Sequence, residues 1–157
     1  MTRRPIIPAR KLQQQTRTFT QKINTATLIQ ESLTLINSNR HVEARAKLES
    51  ILKIQANHFD ALHLLGVLFL IGNQHAKAAD FLSKAIKVNP NFVDAYSNRG
   101  VTLQILKRLD EALLDYDKAI SINPNFVDAY SNRGNALKEL GRLDEALLDY
   151  DKAISIN

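Results

Sequence analysis

Four histidines, His41, His58, His63 and His75, are the residues here best suited to hold a metal ion. A metal site on one helix needs two ligands three or four positions apart, and no pair of these has that spacing. The chain has no cysteine, which removes disulfides, thiolate nucleophiles and Cys-ligated zinc. The acid pairs Asp110/Glu111 and Asp115/Asp117 could serve general acid–base work only if their carboxylates converged. Adjacent and alternate positions on a helix point apart, so solvated charge at a helix start is the expectation. There is no Gly-rich phosphate loop and no nucleophile elbow. No catalytic residue, no metal and no cofactor is expected, and the chain is read as a non-enzyme.

Charge is unevenly placed. The net charge of +5 arises from residues 1–22, which carry Arg3, Arg4, Arg10, Lys11, Arg17 and Lys22 and no acid. From residue 23 onward the chain is close to neutral, so nucleic acid is not implied for the folded part. Residues 1–24 are expected to form a basic, mostly flexible arm. Within it, "PIIPAR" at 5–10 matches a short proline-rich ligand motif, and the acid-free start shares composition with an organelle transit peptide. No apolar run approaches the ~20 residues that span a bilayer. No secretory leader is evident, and cytoplasmic residence is the expectation.

A thirty-four-residue period organises the rest. Residues 89–122 and 123–156 differ at five pairs only: Val101/Asn135, Thr102/Ala136, Gln104/Lys138, Ile105/Glu139 and Lys107/Gly141. Gly66 aligns with Gly100 and Gly134, and Ala44 and Ala78 with Ala112 and Ala146. Four units follow, at 25–58 (divergent), 59–92, 93–126 and 127–157. The last stops before its expected proline. Apolar residues within a unit recur at helical spacing, as in Ala95, Tyr96 and Leu103, then Ala112, Leu113, Tyr116 and Ala119. Asn57, Asn91 and Asn125, each three residues before an Asp, predict capping boxes for the first helix of a unit. Pro90 and Pro124 end the helix before. The repeated glycines predict close helix approach, opposite the small Ala of the second helix. A helix pair this short buries its apolar faces only by stacking on neighbours.

The pattern Tyr96-x-x-Arg99-Gly100-x-x-Leu103, then Ala112-x-x-x-Tyr116-x-x-Ala119 and Pro124, resembles the tetratricopeptide repeat. That resemblance implies an all-α, right-handed α-solenoid of four helix-turn-helix hairpins and a non-catalytic protein- or peptide-binding scaffold. Arg99 and Arg133 depart from the leucine usual at their position, and a stem laid over apolar neighbours with its head paired to an Asp is expected there. The run "AYSNRGNALKELGRLDEALLDYDKAI" further resembles repeats that precede O-linked N-acetylglucosamine transferase and SPINDLY-type glycosyltransferase domains. An alternative is therefore the repeat region of a larger enzyme of that kind, and a self-assembling scaffold is a third.

In the resembling family the inner helix of each unit faces a concave groove. Here its positions are Asp94, Ser97, Asn98, Val101, Gln104 and Ile105, then Asp128, Ser131, Asn132, Asn135, Lys138 and Glu139. Three of the five differences between the near-identical units fall in this set, where a partner would touch. Asn98 and Asn132 stack as rungs able to donate to and accept from a peptide backbone. In the first two units the groove reads Ile29, Leu33 and Ile36, then Leu64, Val67, Leu70 and Ile71. That apolar stretch is expected to be covered by the 9–22 segment or by a second molecule. Leu147, Tyr150 and Ile154 should present an apolar face at the far end. Expected partners are a protein or extended peptide and a second copy, met through the uncapped last repeat or the apolar groove, with no nucleic acid and no membrane.

Overall fold

The computed structural model describes Arg10 and residues 25–156. The remainder of the basic arm, including the rest of PIIPAR and of the segment expected to cover the apolar groove, lies outside the described residues. From residue 25 onward there are eight helices and no strand: α1 at 25–37, α2 His41–Ile54, α3 Phe59–Ile71, α4 His75–Val88, α5 Val93–Ile105, α6 Leu109–Ile122, α7 Val127–Glu139 and α8 Leu143–Ile156. They pair as α1–α2, α3–α4, α5–α6 and α7–α8, and each hairpin packs on the next. The result is the all-α solenoid of four hairpins. The odd-numbered helices touch one another, α3 against α5 and α5 against α7, and form the inner wall.

Each hairpin turns the same way. Asn39, Asn73, Lys107 and Gly141 occupy one repeat position and all have positive φ, between 56° and 78°. The residue that follows reaches back five positions for its carbonyl, Arg40 to Leu35, Gln74 to Phe69, Arg108 to Leu103 and Arg142 to Leu137, at 2.8–2.9 Å. These bonds satisfy carbonyls that the helix end would otherwise leave open. Asn and Gly tolerate this backbone, whereas Lys107 costs about 1 kcal/mol there.

The inner helices start one residue later than a capping box would place them. Their N-caps are His58, Phe92 and Phe126. Asn91 and Asn125 donate their own backbone N–H groups to the side chains of Asn89 and Asn123, at 3.2 and 3.0 Å. The competing Asx turn wins, because it ties down the linker that the proline has already stiffened.

Small residues carry the packing, though with different partners than expected. Ala44, Ala78, Ala85, Ala95, Ala112, Ala119, Ala129 and Ala136 are fully buried. The glycines do not face them. A Cβ on Gly66 would lie 2.6 Å from Leu82 Cγ, on Gly100 2.5 Å from Tyr116 Cε1, and on Gly134 2.6 Å from Tyr150 Cε1. Each glycine makes room for a large side chain of its own hairpin, and Tyr116 fills that room completely.

Candidate peptide-binding groove

The inner wall of α5 and α7 carries all twelve polar-groove positions, and the structure assigns them unequal roles. Asp94 and Asp128 are exposed, as is Asp60 at the same position of α3. Ser97 is buried, because α3 and α7 flank α5 on this wall, and it offers nothing to a ligand. Ser131 and Asn132 are half-buried, and Asn132 bonds no other described side chain. Asn98 is different. Its amide nitrogen lies 3.3 Å from His63 Nε2 on α3. The two asparagines are thus not equal rungs, since the residue that meets Asn98 is a histidine and its counterpart before Asn132 is Ser97.

His63 is the groove residue that spacing alone did not single out. Its ring stacks on Phe59 at 6.1 Å and meets Phe92 edge-on at 5.0 Å. Burial pushes its pKa below the usual imidazole value, against the opposing pull of Asp94 and Asp60. A histidine one turn after an aromatic, with another aromatic at the N-cap of the next inner helix, was the available signal. The other histidines lie apart, and no group of three or more His, Asp or Glu among the described residues is placed to hold a metal.

The differences between the third and fourth units have internal explanations. Tyr116 donates to Gln104 Oε1 at 3.1 Å. Where Lys138 replaces Gln104, Tyr150 instead donates to Asn135 Oδ1 at 2.9 Å, and Asn135 replaces Val101. The exchange keeps an acceptor for each hydroxyl. Glu139 accepts from Gln104 at 2.6 Å and from Lys107 at 2.8 Å, and these two donors hold its carboxyl below the usual range. Its counterpart Ile105 remains 47% exposed. Variation at 101/135, 104/138 and 105/139 therefore also serves hydrogen bonding inside the chain, within a hairpin for the tyrosine hydroxyls and between hairpins for Glu139.

The first two units contribute less open surface. Ile29 is buried in the core cluster that holds Leu48 and Leu65, not on a bare wall. Leu33, Ile36, Leu64 and Leu70 are partly buried against that cluster, Val67 is half-buried, and Ile71 is exposed.

Arg99 and Arg133 turn away from the groove. Arg99 donates twice to Asp115, at 2.7 and 2.6 Å, and once to Ser83 of the previous hairpin at 3.0 Å. Arg133 repeats this with Asp149, and its third bond goes to Asp117. Their guanidinium carbons lie over the rings of Tyr96 and Tyr130, 5.9 and 5.7 Å from the ring centroids, so the charged head and not the stem meets the aromatic face. The carboxylate bonds raise both guanidinium pKa values further, outweighing burial. These arginines close the interval between successive outer helices.

Family models of the tetratricopeptide repeat match residues 59–92, 93–126 and 127–157, together more than half of the chain. The chain belongs to the tetratricopeptide repeat family. No curated protein matches it. Among solved structures, "Crystal structure of MamA" superposes with a TM-score of 0.80 at 24% identity, covering 97% of this chain and 96% of that one. "Crystal structure of MamA protein" gives 0.79 at 26%, over 94% and 79%. "MamA 41-end from Desulfovibrio magneticus RS-1" gives 0.80 at 20%, over 94% and 82%. The likeness is one of fold. The glycosyltransferase-type resemblance stated for the run from Ala129 to Ile154 draws no support from these matches. No helix among the described residues is long and apolar enough to cross a membrane.

Proposed function

We propose that this tetratricopeptide repeat protein is a non-catalytic scaffold that holds an extended, basic segment of a partner protein along the inner wall. The observation that carries this reading is the row of exposed carboxylates Asp60, Asp94 and Asp128, one in each of the last three units, beside Asn98 and Asn132. Asparagine supplies a donor and an acceptor for a peptide backbone regardless of its side chains. The carboxylates, 34 residues apart in sequence, supply selectivity for lysine or arginine. Asn132 is the open rung. Asn98 works with His63, which neutral can accept the amide proton and leave the Asn98 carbonyl for the ligand.

An array of extended peptides enriched in lysine and arginine, probed with the purified chain and followed by calorimetry on the strongest binder, tests the reading. Asn98→Ala with Asn132→Ala should weaken binding by about one to two orders of magnitude, since each neutral hydrogen bond contributes roughly 0.5–1.5 kcal/mol. Unchanged affinity, or equal capture of acidic peptides, would sink it.

A further inference from the structure

His63 ties the inner wall of α3 to the Asn98 rung of α5, and an imidazole is the side chain whose charge changes closest to neutral pH. Its setting is aromatic. Phe59, one turn earlier on α3, stacks on the imidazole with 3° between the planes. Phe92, the N-cap of α5, meets both rings edge-on, with centroids 4.8 Å from Phe59 and 5.0 Å from His63. All three rings are half-buried, so the cluster still fronts the groove. These contacts fix the imidazole plane and keep Nε2 aimed at the Asn98 amide, 3.3 Å away. The third and fourth units have Ser97 and Ser131 at this position and the first has Ile29, so the arrangement belongs to one rung.

The contact between Asn98 and His63 requires one protonation state. The Asn98 nitrogen can only donate, so the Nε2 that receives it must offer a lone pair and the ring proton belongs on Nδ1. In that state the Asn98 carbonyl is left for a ligand N–H. A proton on Nε2 sets two donors against each other. The amide must then turn, giving its carbonyl to the imidazolium and its NH2 group to the groove. A ligand N–H that met an acceptor now meets a donor. The same proton adds a positive charge within the fields of Asp94 on α5 and Asp60 on its own helix. That charge offsets the attraction of both carboxylates for lysine or arginine. Among the described residues no charged group of α1, α2 or α4 acts on the ring. Burial opposes the charged ring more strongly than the two acids favour it, so the neutral form is the resting one at neutral pH.

We propose that His63 gates the inner wall, letting it hold a lysine- or arginine-rich segment while the ring is neutral and release it when the ring takes a proton. The inference rests on the basic-segment reading of the groove and adds its regulation. Asn132, which bonds no other described side chain, is the ungated rung, so the proton weakens capture without abolishing it.

An acetylated and amidated octalysine with a non-titrating fluorophore serves as the probe, since its side chains keep their charge between about pH 5 and 8. Anisotropy titrations of the full chain should give about tenfold weaker binding at about pH 5.5 than at about pH 7.5. Circular dichroism at both values reports whether the helices are kept. His63→Gln places a neutral acceptor near the Nε2 position and takes up no proton in this range, so its affinity should be equal at both values. The variant also separates His63 from the other three histidines. By linkage, saturating octalysine should lower the midpoint at which His63 titrates in the native chain, read from its Cε1–H proton resonance. That measurement stands whatever the affinity of the variant. Octalysine that fails to bind at about pH 7.5 overturns the basic-segment reading and the gate with it. Binding that is equal at both values, that weakens equally in His63→Gln, or that falls only as helix is lost overturns the gate alone. So does a His63 midpoint that the peptide leaves unmoved or raises.

Discussion

Replacing Gly100 by alanine sets two opposing energies against each other on α5. Alanine is the better helix former by about 1 kcal/mol. Its Cβ, however, would stand 2.5 Å from Tyr116 Cε1 and 2.9 Å from Cδ1 and Cζ, distances at which something must move. Tyr116 has little freedom to do so. It is fully buried, and its hydroxyl is tied to Gln104 at 3.1 Å. Overpacking of this kind costs about 1–3 kcal/mol, and an enclosed ring belongs in the upper half of that range. Set against the propensity gain, Gly100→Ala should destabilise by about 1–2 kcal/mol. Urea unfolding followed by far-ultraviolet circular dichroism reads it directly. Gly134→Ala is the internal control, because the residues from Val93 to Gly100 and from Val127 to Gly134 are identical, so the propensity gain is shared. There the clash is with Tyr150, half-exposed at the open end and able to swing outward. Gly134→Ala should therefore be nearly neutral, and should become stabilising in a Tyr150→Ala background. If Gly100→Ala matched or exceeded the parent in stability, close approach would not be the reason for the glycine.

Removing the carboxylate of Asp115, which is buried, leaves Arg99 without its counter-charge. Asp115→Asn should cost about 2–3 kcal/mol, less than the ~3–5 kcal/mol of a fully enclosed pair because the Arg99 side chain is 24% exposed. Asp80→Asn, which breaks only the exposed pair with Lys84, should change the urea midpoint little. His63 predicts a pH dependence. Its folded pKa is lowered from 6.5 chiefly by burial, so below that pH the unfolded chain binds the proton more readily. The stability due to its neutral form is complete above about pH 6.5 and is lost as pH falls through the folded value. His63→Ser, the residue that the third unit has at this position, should flatten the stability profile on the acid side of 6.5 relative to the parent. Parallel profiles would show that the imidazole already titrates as it does in water.

The period, the eight helices and their pairing were legible in the chain because they rest on local physics. A 3.6-residue apolar rhythm and a proline after the outer helix act within a few residues. What escaped the sequence depends on neighbours a full unit away. The capping asparagines lost to Asx turns made by Asn89 and Asn123. The glycines faced Tyr116, Tyr150 and Leu82 instead of alanine, because the fit of a ring against a bare backbone depends on how two helices cross. Asn98 met His63 while its twin Asn132 stayed open, since the residue 35 positions earlier is histidine in one case and serine in the other. At 101/135, 104/138 and 105/139 the structure adds an internal use that the sequence did not show, because the tyrosine hydroxyls and Glu139 find their bonding partners there. Helices α6 and α8 set the limit most plainly. Fourteen identical residues form the same helix twice, but burial belongs to a residue together with whatever lies over it. Only the stacked structure shows that Leu113 is covered and Leu147 is bare.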